Sequence, residues 1–234
     1  MEKLEYNQIG NSQKLGFKLI VSAINTSLHQ EFLKAFEGFP EVEIVFNRFE
    51  DTNFDCVVSA ANSFGLMDGG VDQCITDYFG LQMMRRVQNR IIQEFAGEQP
   101  VGTSIIVPGL THDMIGSETR FDRMKFVAHT PTMRVPRDVN GSDHAYKAMK
   151  SALLAVKAHN RSIEMRTLNG DEVLAGETRI NTLVTPGLAT LAGRVPHDVA
   201  AKQMALAVYH VMNPPKMIDW YYASERDAQI QESR

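Results

Sequence analysis

Cysteine is nearly missing from this chain: Cys56 and Cys74 are the only two among 234 residues. Both stand among apolar neighbours. That rules out a disulfide framework or a Cys-ligated zinc site and reads as two small core residues of a reducing compartment. Long apolar runs are missing too. No stretch approaches the roughly 20 residues that a membrane-spanning helix requires. The opening MEKLEYNQIGNSQKLG is polar and lacks the apolar centre of a signal peptide. The expected location is the cytoplasm, with no membrane partner. Nor does one charge dominate: 24 Lys and Arg face 28 Asp and Glu, for a net charge of -4. The broad basic footprint of a nucleic-acid binder is therefore absent overall. There is no P-loop, no dinucleotide G-x-G-x-x-G, no H-E-x-x-H and no nucleophile elbow around Ser63. No metal and no cofactor is expected.

What is present is the composition of a soluble globular protein, 44% hydrophobic and 22% charged. The length fits one sizeable α/β domain, residues 1–234, with a loose segment at 1–16 and a tail at 213–234. Strands are predicted at 17–23, 42–46, 55–60, 103–107, 125–130 and 180–184. Between them come helical faces. Thr26 or Ser27 would cap a helix that turns Leu28, Phe32, Ala35 and Phe36 inward. Val71, Cys74, Ile75, Tyr78 and Phe79 share one face, and Met84, Val87, Ile91, Ile92 and Phe95 another. Helices follow over 145–158 and 196–211, the second opened by Pro196 and Asp198. Residues 109–122 and 161–178 read as polar surface segments. The strand at 55–60 is almost wholly apolar, as in a central parallel strand. Alternation of strands and helices argues for one sheet covered on both faces.

The chemistry concentrates in two strand–loop–helix passages, DCVVSAANSFGLMDGGVDQCITDYFG (55–80) and NTLVTPGLATLAGRVPHDVAA (181–201). A loop that leaves a strand and opens a helix presents unpaired backbone N–H groups at the positive end of the helix dipole. Two such loops on neighbouring strands could hold two phosphates. Asn62, just past a strand end, can donate to and accept from sugar hydroxyls; it and the glycines serve equally well to shape a turn. Asp68 and Asp72 suit the first helical turn electrostatically, with Asp68 a candidate N-cap. The functional alternative is that Asp72 polarises a water or a hydroxyl. His129 lies in a predicted buried strand and reads as a core histidine. His112 and Asp113 read as loop residues, and Arg134 stands where it could reach a phosphate.

Four separated segments resemble the macro-domain family. VVSAAN and GGVD (57–62 and 69–72) are similar to its strand ending in N-A-A-N, glycine loop and G-V-D. VEIVFNRFED (42–51) resembles the strand ending in G-D-I-T, and KFVAHTP (125–131) the strand ending in I-H-T. TPGLATLAGRVP (185–196) lies where the family has its second glycine loop. The leading strand and helix and TMRVP (132–136) resemble a bacterial and phage-type branch. Residues 42–212 are covered.

The resemblance implies a three-layer α/β/α fold around a mixed, mostly parallel sheet. It also implies a cleft for ADP-ribose or a related nucleotide, carried in some cases on a modified macromolecule. By carry-over, Asp51 would contact the adenine. Ala61, Gly69, Gly70 and Val71 would line the diphosphate. Asn62 would orient the distal ribose, and Asp72 would assist water attack at its C1″ carbon, so these two are the candidate catalytic residues. Gly187, Leu188, Thr190, Leu191, Ala192 and Gly193 would form the second phosphate loop. The chain departs from the family at Ser59, which replaces the first Asn of N-A-A-N, and at Asp68, where a glycine is usual. It departs again at Leu191, which replaces the Gly of T-G. Asp55 is the alternative to Asp51, and the family's last strand is not evident after Val211, so the leading strand would complete the sheet. Trp220, Tyr221 or Tyr222 could stack on an adenine; packing of the tail is the simpler role. Besides an ADP-ribosyl hydrolase, the sequence accommodates a non-catalytic ADP-ribose reader and a structural protein with a degenerate cleft.

Overall fold

The computed structural model of the chain describes residues 13–109, 124–171 and 178–234. His112, Asp113 and most of the polar segment at 109–122 lie outside the described residues.

Among the described residues six strands form one sheet: β1 (Lys18–Ser22), β2 (Val42–Val45), β3 (Cys56–Asn62), β4 (Ile105–Gly109), β5 (Lys125–Met133) and β6 (Thr182–Thr185). Their order is β2-β1-β6-β3-β5-β4, parallel throughout except for the antiparallel β4–β5 pair. The leading strand β1 does complete the sheet, between β2 and β6. β3 is central, flanked by β6 and β5.

Period-two alternation explains the layers. Leu19, Val21, Cys56, Val58, Phe126, Ala128 and Leu183 point to one face. There they meet α1 (Thr26–Ala35), α4 (His144–Asn169) and α5 (His197–Met212). Ile20, Val57, Val127 and Val184 point to the other, against α2 (Gly70–Phe79) and α3 (Gln82–Phe95). This is a three-layer α/β/α fold, and both faces of the central strand are dry: Val57 and Val58 are each fully buried. Burying such a side chain contributes roughly 1.5–3 kcal/mol.

Several boundaries differ from the sequence expectation, each for a physical reason. Asn25 is the N-cap of α1, not Thr26 or Ser27, because its side-chain oxygen accepts from the N–H groups of Ser27 (2.9 Å) and Leu28 (3.2 Å). In α3 the buried positions are Met83, Val87 and Ile91, while Ile92 is largely exposed, so the stripe is narrower than its apolar residues suggest. α4 continues through 161–169, which sequence had read as a surface segment. Asn160 anchors that extension: its amide oxygen accepts from the Ile180 N–H and its amide nitrogen donates to the Ile180 carbonyl, both at 2.8 Å. A last helix, α6 (Trp220–Glu232), was not foreseen in the tail. No described helix is long and apolar enough to cross a membrane.

Candidate functional site

The ends of β3, β5 and β6 open onto a cavity of about 290 Å³ walled by the two predicted loops. Parallel pairing makes this possible, because it brings the C-terminal ends of β3 and β6 to the same edge of the sheet. From the first passage Ala61, Asn62, Gly69, Gly70, Val71 and Asp72 line the cavity. From the second come Gly187, Thr190, Leu191, Ala192 and Gly193.

Two predicted residues stand elsewhere. Asp51 ends a short 3-10 helix, Phe49–Asp51, and is exposed outside the cavity. Its neighbour Phe49 is drawn into the core against Phe54 and Tyr78, and that packing directs the segment away from the cleft. Leu188 is fully buried in the core beneath the loop, so it supports the loop without lining the cavity. Asp55, the alternative carboxylate, accepts hydrogen bonds from the N–H groups of Asn181 (2.8 Å) and Thr182 (3.0 Å) and fastens the start of β6.

The first loop is built by Asn62. Its amide oxygen accepts from the N–H groups of Phe64 (3.1 Å) and Leu66 (3.3 Å), and its amide nitrogen donates to the Leu66 carbonyl at 2.7 Å. One amide hydrogen remains for a ligand. Gly65 has φ +65, and a Cβ there would stand 2.9 Å from Ile91 and Val87, so the turn requires glycine. Gly69, not Asp68, is the N-cap of α2. Gly70, Val71 and Asp72 of the first turn, whose amides lack intrahelical partners, line the cavity.

The second loop approaches it from the opposite wall. Among the described residues the N–H groups of Thr190, Leu191, Ala192 and Gly193 make no backbone hydrogen bond. A Cβ on Gly193 would stand 2.4 Å from the Ala189 carbonyl oxygen, so the tight return of this loop is closed to any larger residue. Leu191 is exposed and reaches across: its Cδ1 would lie 3.8 Å from a Cβ on Gly70. An apolar side chain thus bridges the two amide-rich loops.

Asp72 is the one strongly perturbed acid of the cavity. It is 5% exposed, and the Ser59 hydroxyl donates to its Oδ1 at 2.5 Å. Burial pushes its carboxyl up to about 7. The Ser59 hydrogen bond works against that shift, and the neighbouring charge of Asp68 adds to it. At neutral pH it is therefore divided between acid and base forms. Among the described residues no lysine or arginine lines the cavity. Of these residues, backbone dipoles would meet an anion, with Asp68 opposing it.

Sequence reasoning missed part of the wall: Thr132, Met133 and Pro136 line it. β5 runs past Thr130 to Met133: Pro131 still pairs with Ala61, and the register shift between Ala61 and Asn62 leaves Thr132 as the extra residue. A proline inside the run was the misleading signal. Arg134 does not reach the cavity and instead pairs with Glu98 at 2.7 Å. His129 is a core histidine, with Nδ1 2.7 Å from the Gln99 side-chain oxygen, and burial pushes it down to about 3. Trp220, Tyr221 and Tyr222 are not part of the cavity wall.

A family model described as Macro domain matches residues 58–204. An uncharacterized protein of Aquifex aeolicus (strain VF5) is 26% identical over 166 residues, which cover 70% of this chain and 78% of that protein. Among solved structures, a single-site mutant of the Oceanobacillus iheyensis macrodomain with ADPR aligns at a TM-score of 0.49 and 14% identity, over 94% of this chain and 96% of that one. The macrodomain of Mycobacterium tuberculosis DarG aligns at a TM-score of 0.46 and 13% identity, over 70% of this chain and 87% of that one.

Proposed function

The chain belongs to the macro-domain family, and we propose that its cleft binds ADP-ribose or a closely related nucleotide and hydrolyses an ADP-ribosyl linkage held there. The observation that carries the reading is the buried Asp72 carboxyl, poised near neutrality between two loops whose amides are free to receive phosphates.

The diphosphate lies between the first turn of α2 and the amides of Thr190–Gly193, where backbone N–H groups meet its charge. The remaining N–H of the Asn62 amide donates to the distal ribose. Ionised Asp72 takes a proton from water, the water oxygen bonds to C1″, and the bond from C1″ to the acceptor group breaks. The proton returns to the leaving group. Ser59 keeps the Asp72 carboxylate oriented through its short hydrogen bond. The acceptor is part of a modified macromolecule or a small nucleotide.

Asp72→Asn tests the chemistry, since it keeps the shape of the site and removes the base. Turnover of an ADP-ribosylated substrate should fall at least about 100-fold, with the ADP-ribose dissociation constant changed only a few-fold. A parent-like turnover would sink the catalytic role. The bridge that Leu191 makes across the loops favours a second reading, a binding protein that closes on ADP-ribose without turning it over. In that case Asp72→Asn changes affinity and nothing else, because the parent has no turnover to lose.

A further inference from the structure

A second cavity, of about 410 Å³, lies between the end of α5, the connection after it and α6. Tyr209, Tyr221 and Tyr222 line it together with Lys216 and Arg226, and Glu225 stands on the same wall. It sits at the far end of α5 from the Gly187–Gly193 loop, about 20 Å along the helix axis.

Its charges are unusual. The Arg226 guanidinium donates to two phenols, Tyr146 at 3.4 Å and Tyr222 more closely, and lies 5.0 Å from the centre of the Tyr222 ring. Lys150 stands 5.8 Å from the centre of the Tyr146 ring. None of Lys150, Lys216 or Arg226 forms an ion pair with a carboxylate among the described residues. Burial, and then the neighbouring Arg226 charge, hold Lys150 below its ordinary value. Arg226 on the wall and Lys150 just behind it, two cations that repel each other, are thus kept together with no carboxylate at ion-pair distance among the described residues. His210 does not supply one: its Nδ1 lies 3.0 Å from the Tyr146 hydroxyl and its Nε2 2.7 Å from the Gln229 oxygen, and burial keeps it neutral. The C-terminal end of α6 is anchored by its cap residue Ser233, which is buried and whose carbonyl accepts from Gln203 at 3.4 Å.

We propose that this cavity is a binding site for a nucleoside monophosphate group, with the base among Tyr209, Tyr221 and Tyr222 and the phosphate on Arg226 and Lys216. A planar guanidinium matches a phosphate, and phenol rings give a base its stacking partners. The group can come from a free mononucleotide or from the 5′ end of a nucleic-acid strand. The site is independent of the ADP-ribose cleft.

Trp220, the only tryptophan of the chain, adjoins Tyr221 and is 87% exposed. Its emission, excited at a wavelength that nucleotides do not absorb, reports on this end of the molecule and not on the cleft. Titration of the full chain with 5′-AMP should change that emission saturably. Arg226→Gln should weaken the response about tenfold or more, and Lys216→Ala, at an exposed position, several-fold. Lys216→Ala keeps the test informative should Arg226→Gln lose its circular-dichroism spectrum. Gly69→Val, which adds bulk at the wall of the cleft, should leave the response unchanged. Adenosine and inorganic phosphate should each bind more weakly than AMP. A 5′-phosphorylated oligonucleotide that binds more tightly than AMP identifies a strand end as the source, and the reverse order identifies a free nucleotide. No emission change at millimolar AMP, equal binding of inorganic phosphate, or a response lost in Gly69→Val and kept in both cation variants would overturn the proposal.

Discussion

Asp72 concentrates the energetics of the site at the residue scale. Its carboxyl rises from 3.8 to about 7 on folding, a difference worth about 4 kcal/mol. The folded protein holds a proton there that the unfolded chain releases near pH 4. This group therefore lowers stability as pH rises from about 4 to about 7, and the loss is complete above that. Asp72→Asn should accordingly raise the melting temperature at pH 8 and change it little at pH 4, as thermal melts at the two pH values will show. If Asp72 is the base, kcat/KM of the parent rises with pH through about 7 and then levels off. Asn62 carries a different kind of burden. Its three hydrogen bonds shape the loop, so Asn62→Ala should lower stability by about 2 kcal/mol in urea unfolding. Loss of ligand in that variant would report a collapsed loop as much as a missing contact. Turn-shaping by Asn62 was one of the two roles legible in the sequence; the burial of Asp72 is a tertiary fact that residue identity alone did not carry.

At the scale of elements, sequence was most informative where an apolar period met a loop. The apolar run of β3 and the glycines after it located the first loop, and the same pattern located β6 and the second. Asp51 was misplaced because the spacing between β2 and β3 does not reveal that Phe49 turns into the core. The length of α4 was hidden because its last turns are polar and depend on the Asn160 clasp to residue 180. α6 was hidden because none of its hydrophobic residues is buried, which leaves no stripe to read. Two elements offer direct checks. Asn25→Ala removes both cap hydrogen bonds of α1 and should cost about 1 kcal/mol by urea unfolding. Leu191→Ala removes the bridge over the cleft and should tighten ADP-ribose binding several-fold in calorimetry, since the loops no longer need to part.

For the whole molecule, the titrating groups pull in opposite directions. Burial holds His129 at about 3 and His210 at about 4, both below the usual 6.5. Unfolding lets these two groups take up protons between about pH 4 and 6.5, while Asp72 releases one. The balance of these groups favours stability rising with pH across that window, and His144, also held below its ordinary value by burial, adds to the rise. Above 6.5 only the Asp72 loss remains, until about pH 7. The urea midpoint should therefore peak between about pH 6 and 7, and Asp72→Asn should remove the alkaline fall. The same packing of helices and sheet that buries these groups also brings the ends of β3 and β6 together, so the cleft depends on the fold as a unit.

Calorimetric titration of ADP-ribose into the parent protein and into Gly69→Val tests the central claim most directly. Gly69 lines the cleft with extended backbone geometry and open space beside it, so valine adds bulk at that wall without straining the chain. Saturable one-to-one binding to the parent, weakened at least about tenfold in Gly69→Val at an unchanged melting temperature, is the result expected. No heat from the parent at millimolar ADP-ribose, or equal affinity in the two proteins, would contradict it.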